Sequence, residues 1–292
     1  MVTRHATPVC PRCEGMVTRG KTARNRLRGS DHFLLHYDPA LLSRAGGAFD
    51  GALCVDLGYG AEPHTTLEWA ERLRDHVPGL PVLGVEIDPE RVARARPHAD
   101  EAPHFRLGGF NLPLESGERV RLIRAFNVLR QYGEEAVAPA WDRLCEQLVP
   151  GGLLVDGTSC PLGRTWSACL VRRTDDDAEP WCLEALVLGA NLRRGFDPEL
   201  FQTRLPKAFI HRMLPGEAVH EFIEGWKRAA QETRSLAVWG TRQWFAAAAA
   251  HLAGQGHDVE LRARWLKQGW LVWRRPPRPA GIAIPDQDSG RS

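Results

Sequence analysis

No run of apolar residues in this chain approaches the roughly 20 needed to cross a bilayer, and the opening Met1-Val-Thr-Arg-His-Ala-Thr-Pro8 lacks the apolar stretch of an export signal. The expectation is a soluble, cytoplasmic protein with no membrane partner. An excess of one charge is missing too: 38 Lys plus Arg stand against 36 Asp plus Glu, a formal net charge of +2. The chain as a whole therefore offers no electrostatic case for nucleic acid, and any basic surface has to be local. Paired cysteines are also lacking. The seven thiols, Cys10, Cys13, Cys54, Cys145, Cys160, Cys169 and Cys182, are odd in number, and several lie in apolar runs where Cys behaves as a small hydrophobe. Cys10-Pro-Arg-Cys13 has the spacing of half a zinc site, but no second Cys-x-x-Cys follows, so His5 or a distant cysteine would have to complete a tetrahedral set.

What is present is enough apolar material for a full core: 43% hydrophobic residues in a 292-residue chain. Residues 1–44 stand apart as a basic, partly flexible arm, with Arg19, Lys21, Arg24, Arg26 and Arg28 crowded together and almost nothing apolar among them. From residue 51 short apolar runs alternate with helically spaced segments, which argues for an α/β fold with a mostly parallel sheet and crossover helices. Strands are expected at 52–56, 81–86, 104–107, 120–126 and 152–156, with helices at 65–76, 89–96 and 134–148. Two further runs, 166–172 and 181–188, read as an antiparallel hairpin extending the sheet. Helical composition follows over 217–252, then a last hairpin from 259–264 and 270–274, and a Pro- and Gly-rich disordered tail at 276–292. The tryptophans, among them Trp226, Trp239, Trp244, Trp265, Trp270 and Trp273, sit at helix or strand spacing and are read as core.

The chemistry concentrates in Leu53-Cys-Val-Asp-Leu-Gly-Tyr-Gly60. Glycines directly after a buried strand allow a tight turn and close approach of a ligand, and the following helix offers unpaired N–H groups. Pro63 stands where a G-x-G-x-x-G fingerprint has its third glycine, so the pyrophosphate features of a dinucleotide site are missing and an NAD enzyme is a distant reading. A second acid, Glu86 in Val85-Glu-Ile-Asp-Pro89, closes the next strand, where a carboxylate can accept both hydrogen bonds of a ribose diol; its alternative is a solvated loop acid. Asp88, before Pro89, reads as a helix N-cap.

Val55-Asp-Leu-Gly-Tyr-Gly60 resembles the first motif of the class I, Rossmann-like S-adenosylmethionine-dependent methyltransferases, and Pro139 to Val155 resembles their helix-Pro-Gly-Gly-strand passage. The resemblance covers mainly residues 51–155, with Glu62 in place of the usual third glycine. It implies a Rossmann-like doubly wound domain over about 45–275 with a seven-strand core, an α+β insertion at about 160–224 that shapes the acceptor pocket, and S-adenosyl-L-methionine as cofactor. Asp56 would sit beside the methionine moiety, Gly58, Tyr59 and Gly60 beneath the cofactor, and Glu86 on the ribose. Gly109 holds the place of the family's third-strand acid, which leaves adenine to the backbone of Phe110 and the Asn111 amide; the other reading there is a turn with a buried Phe110.

The fourth strand leads into Asn127, Arg130, Gln131 and Tyr132, at the strand ends that face the crevice of a doubly wound sheet. Asn127 is a candidate on the cofactor, and Asn127, Arg130 and Tyr132 are the candidate catalytic residues. The stretch is not the Asn/Asp-Pro-Pro-Tyr type carried by amino-methylating relatives. Methyl transfer from a sulfonium is a direct displacement that needs alignment rather than a triad or a metal. A base for a hydroxyl acceptor would come from His211, Tyr132, Glu221 or Asp156.

The expected function is thus methyl transfer to a small-molecule or macromolecular acceptor. A second reading is an RNA methyltransferase using the Arg19–Arg28 arm, and a third a catalytically silent, methyltransferase-like binding module. The arm contacts RNA phosphates, folds over the cofactor as N-terminal arms of the family do, or is a solvated extension; Asn25, Arg26 and Asp31 are the residues that decide.

Overall fold

The computed structural model describes residues 13–98, 103–279 and 282. Two helices lead, Arg28–Tyr37 (α1) and Pro39–Ser43 (α2), followed by strand Leu53–Leu57 (β1), His64–His76 (α3), Val82–Glu86 (β2), Pro89–Ala95 (α4), His104–Leu107 (β3), Val120–Phe126 (β4), Val137–Glu146 (α5) and Leu148–Ser159 (β5). Then come Thr165–Arg173 (β6), Trp181–Ala190 (β7), Lys207–Ile210 (α6), Ala218–Glu232 (α7), Thr241–Gly254 (α8), Ala263–Gln268 (α9) and Trp270–Arg274 (β8).

The strands form one eight-stranded sheet in the order β3-β2-β1-β4-β5-β6-β7-β8. The first five run parallel, and β6, β7 and β8 add on antiparallel. The chain winds from β1 out to β3 and returns to place β4 on the other side of β1. That reversal is the switch point of a doubly wound, Rossmann-like α/β fold, and it opens a crevice at the carboxyl ends of β1 and β4.

Strand alternation divides the core in two. Leu53, Val55 and Leu57 of β1 join Ile123 and Ala125 of β4 in a cluster with Trp141 of α5, Trp226 of α7 and Phe245 of α8. On the opposite face Cys54, Leu122 and Leu153 pack with Trp69 and Leu73 of α3, Trp265 of α9, and Phe33 and Leu34 of α1. Among the described residues no helix is long and apolar enough to cross a membrane.

Several expectations are corrected. The sheet has eight strands rather than seven, and β6 and β7 lie within it, so much of the stretch expected as an insertion is sheet. No strand forms at 259–264: Val259 makes a single bridge to Trp273, and α9 follows, closed by Gly269 in the left-handed conformation. Helical 217–252 is broken by a 3-10 turn, Arg234–Trp239, which leaves Trp239 73% exposed while the other five tryptophans named above are buried. The arm is not loose throughout. Phe33, Leu34, Leu35, Leu41 and Leu42 are buried, and the Arg121 guanidinium, itself buried in β4, donates to the carbonyls of Leu41, Leu42 and Arg44 and so satisfies the end of α2. At the other terminus Ile282 is buried and Arg278 lies over the Trp181 ring, so packing continues past residue 276.

Candidate functional site

β1 delivers the glycine turn into the crevice. Gly58 and Gly60 both take positive φ, 71° and 91°, and a Cβ on Gly58 would lie 2.6 Å from the Val128 methyl. Only glycine meets both demands at that point. Glu86, at the end of β2, is 1% exposed, which overturns the solvated-loop alternative. Its Oε2 accepts from the Gly60 N–H at 2.9 Å, and Oε1 accepts from the Ile87 and Asp88 N–H groups at 3.0 and 3.3 Å, so the carboxylate ties the β2 end to the glycine turn. Asp88 caps α4, accepting from the Glu90 and Arg91 amides.

Asp56 faces the other way from Leu57, toward α1 and α3. Its carboxylate accepts from Thr66 Oγ1 at 2.7 Å and from Arg124 Nε at 3.0 Å. Arg124 also pairs with Asp31 of α1, and Asp31 with Arg72 of α3 at 2.7 Å. Two anions and two cations thus neutralise one another under the cleft, with the Arg124 guanidinium 4.3 Å over the Trp69 ring. Such a set is favourable only while every partner is present, because a single unmatched buried charge is costly. Burial is the largest influence on the Asp31 carboxyl and holds it above the ordinary carboxylate range, against the pull of Arg124 and Arg72. Asp31 was legible only as a residue to watch. Arg124 had a signal in the sequence, an arginine in the otherwise apolar strand 120–126.

The arm crosses the carboxyl ends of the strands. The Phe110 N–H donates to the Glu14 carbonyl at 2.8 Å, and the Glu14 N–H donates to Asn111 Oδ1 at 2.7 Å. Next, the Met16 N–H donates to the Tyr132 hydroxyl at 2.6 Å, and the Arg19 N–H to Gln131 Oε1 at 2.7 Å. Thr18 accepts from Arg91 Nη2 at 2.8 Å, and Gly20 accepts from the Ala61 N–H at 2.8 Å. The arm thus lies across the cleft, which excludes the solvated extension for residues 14–20.

Two cavities remain beneath it. A space of about 270 Å³ lies among Thr22, Asp56, Gly58, Gly60, Asn127 and Arg130, and one of only about 20 Å³ lies among Met16, Glu86, Gly109, Phe110, Val128 and Tyr132. Tyr59 and Thr22 are among the residues lining the larger, and the Tyr59 hydroxyl and Thr22 Oγ1 are buried without a hydrogen-bond partner.

The candidate catalytic residues are more internally engaged than expected. Asn127, at φ 61°, accepts from the Ser159 N–H at 3.0 Å and donates to Ser159 Oγ at 3.1 Å, so its amide stitches β4 to β5 instead of standing free. Arg130 donates to the carbonyls of Leu205 and Thr203, and burial lowers its affinity for a proton. The Tyr132 hydroxyl is held by Met16. Of the possible bases, His211 and Glu221 are exposed and line neither cavity, while Asp156 is 1% exposed and accepts from Trp141 Nε1 at 3.2 Å on the far side of the sheet. Ser159 and its bond with Arg26, whose Nη2 donates to the Ser159 carbonyl at 3.0 Å, went unnoticed in the sequence because a lone serine at a strand end carries no pattern. Cys10 lies outside the described residues, and among those described no cluster of His, Cys, Asp or Glu could hold a metal ion.

Fold and cleft together define a Rossmann-like α/β protein whose switch-point crevice carries a glycine turn and a strand-end carboxylate. No family model matches the chain, and no curated protein matches it. Among solved structures it is similar to CalS10, an S-adenosylmethionine-bound amino pentose methyltransferase from Micromonospora echinaspora, at 19% identity over 58% of this chain and 69% of that one, with a TM-score of 0.32. It is similar also to the CcbJ methyltransferase of Streptomyces caelestis, at 20% identity over 53% of this chain and 68% of the other, TM-score 0.34. The N-methyltransferase NodS of Bradyrhizobium japonicum gives 17% identity over 46% and 68%, TM-score 0.32. The fold assignment stands on the strand order, not on overlaps of this size.

Proposed function

We propose that the chain is an S-adenosylmethionine-dependent methyltransferase. The observation that carries this reading is the convergence of Gly58, Gly60 and Glu86 on one crevice at the switch point, above the buried carboxylate of Asp56. The glycine turn lets a ligand pass close to the backbone, and Glu86 sits where a ribose diol is recognised, with no pyrophosphate cradle beside it. When bound, the cofactor supplies a methyl group already activated for displacement.

The residues of this chain then have two tasks. Gly58 to Gly60 and Glu86 hold the nucleoside, with Asp56 and Arg124 keeping the turn rigid from below. The mouth between Asn127 and Gln131, with Arg19 and Lys21 of the arm, receives the acceptor and excludes water from the reacting line. A small-molecule acceptor would enter at the Asn127 and Arg130 end of the cavity of about 270 Å³, whose Gly58 and Gly60 end belongs to the cofactor. An RNA acceptor would use the exposed Arg24 and Arg28, since Arg26 already donates to the Lys21 and Ser159 carbonyls.

A second reading, a silent methyltransferase-like binding module, is favoured by the internal hydrogen bonds of Asn127 and Tyr132, which leave no free acid or base among the candidates in the cleft. Calorimetric titration with S-adenosylmethionine, S-adenosylhomocysteine and NAD tests the proposal. Binding of the sulfur nucleosides, weakened in Glu86→Ala, is the expected result; binding of NAD alone or of none of the three overturns it. Tight binding with no transfer of labelled methyl to small-molecule or RNA pools marks the silent module.

A further inference from the structure

We infer that the main chain of Glu14 is a built-in occupant of the adenine subsite, so that residues 14–19 form a strap which has to leave before a nucleoside can enter. The inference rests on the proposed reading of the cleft and adds a regulatory element to it. An adenine edge offers an amino donor beside a ring-nitrogen acceptor. Glu14 offers the same pair within one residue: its N–H donates to Asn111 Oδ1 at 2.7 Å, and its carbonyl accepts from the Phe110 N–H at 2.8 Å. Both protein groups are those left to read adenine when Gly109 replaces the acid at the end of β3.

Space gives the same answer independently of the hydrogen bonds. The cavity among Glu86, Gly109, Phe110 and Met16 measures about 20 Å³, which holds about one water molecule and no purine ring. A Cβ on Gly109 would fall 1.9 Å from the Glu14 carbonyl oxygen, so the strap lies directly on that glycine. A side chain there, acidic or otherwise, would push the strap off. The departure from the family pattern at Gly109 thus has a physical reason in this chain.

The strap is built to release. Gly15, directly after the occupant Glu14, and Gly20, at the strap's C-terminal end, take φ 125° and 69° and supply two positions that easily change backbone direction. Its side-chain anchor, Glu14 with Arg143 at 3.1 Å, is about half exposed on both partners, so solvent screens it. Beyond Gly20 the chain stays put: Glu68 accepts from the Asn25 N–H at 2.8 Å, Arg26 is bound to Ser159, and Leu27 is buried. Residues 14–19 can therefore swing while α1 remains docked.

The test compares the full-length protein with Glu14→Pro, which lacks the N–H that Asn111 accepts, and with Tyr132→Phe, which removes the acceptor of the Met16 N–H. S-adenosylhomocysteine and adenosine are titrated into each, and hydrogen exchange of residues 14–20 is followed with and without ligand. Competition by the strap predicts affinity at least about tenfold higher in Glu14→Pro, a smaller gain in Tyr132→Phe, and faster exchange of 14–20 when ligand binds. Equal or weaker binding by both variants, or slower exchange of 14–20 with ligand, overturns the strap and leaves the cleft reading standing. Failure of all three proteins to bind either nucleoside overturns the cleft reading itself.

Discussion

Asp31 and Arg124, 93 residues apart in the chain, form an ion pair in which neither side chain has any solvent exposure. The pair fastens α1 to β4 directly beneath the glycine turn, and Arg124 passes the contact on to Asp56. Removing one member leaves an uncompensated charge where water cannot reach it. Asp31→Ala is expected to cost about 3–5 kcal/mol in urea denaturation, and Asp31→Asn less, because the amide oxygen still accepts from the guanidinium. A loss below about 1 kcal/mol in Asp31→Ala would show that the quartet is not the fastening.

Gly58→Ala should damage the turn by two additive routes. Holding alanine at φ 71° costs about 1–2 kcal/mol, and its methyl must displace the Val128 side chain, 2.6 Å away. Adding Val128→Ala recovers the steric part and not the conformational part. A double-mutant cycle in thermal unfolding, with S-adenosylhomocysteine binding measured alongside, separates the two.

Glu86→Gln tests the ribose acid without changing its shape. The amide keeps one acceptor oxygen but loses the charge, and a charge-assisted hydrogen bond is worth about 1.5–3 kcal/mol. Affinity for S-adenosylhomocysteine should fall by about tenfold or more, whereas a substitution on the far side of the sheet, Asp156→Asn, should leave it unchanged. Equal affinity in wild type and Glu86→Gln would remove Glu86 from the ligand.

Asp156 gives the protein a pH dependence of stability. Desolvation raises its carboxyl pKa from 3.8 to about 7, against the opposing hydrogen bond from Trp141. Between these values the unfolded chain is ionised while the folded protein retains the proton, so the folded state binds more protons and stability falls as pH rises. The contribution is full below about pH 4, is lost at up to about 1.4 kcal/mol per pH unit, and levels off above about pH 7. Asp156→Asn should flatten that slope and be the more stable protein at pH 8. Thermal melts from pH 5 to 8 check both statements, and a wild-type slope unchanged in Asp156→Asn would assign the titration elsewhere.

The parallel strands and the glycine turn were legible because their causes are local. An apolar run bounded by turn residues is a strand wherever it docks, Asp88 before Pro89 caps a helix with its own side chain, and positive φ selects glycine at 58 and 60 without help from distant residues. The final hairpin is not local in this sense: 259–264 has strand-like alternation, but Val259 finds one bridging partner and the chain coils into α9 before β8. Asp56 shows the limit most clearly. Its place after Val55 marks it as a site acid, yet which groups its carboxylate meets depends on Arg124, Thr66 and, through Arg124, Asp31.

Backbone sterics and side-chain periodicity within a few residues are enough to specify the strands and helices from β1 to β7, the glycine turn and the acids Asp56 and Glu86. Long-range packing alone brings the basic arm across the cleft, sets Arg124 between Asp56 and Asp31, and rests Glu14 on Gly109. Each of those is a contact between segments tens of residues apart, and such contacts depend on how the elements pack rather than on any pattern along the chain.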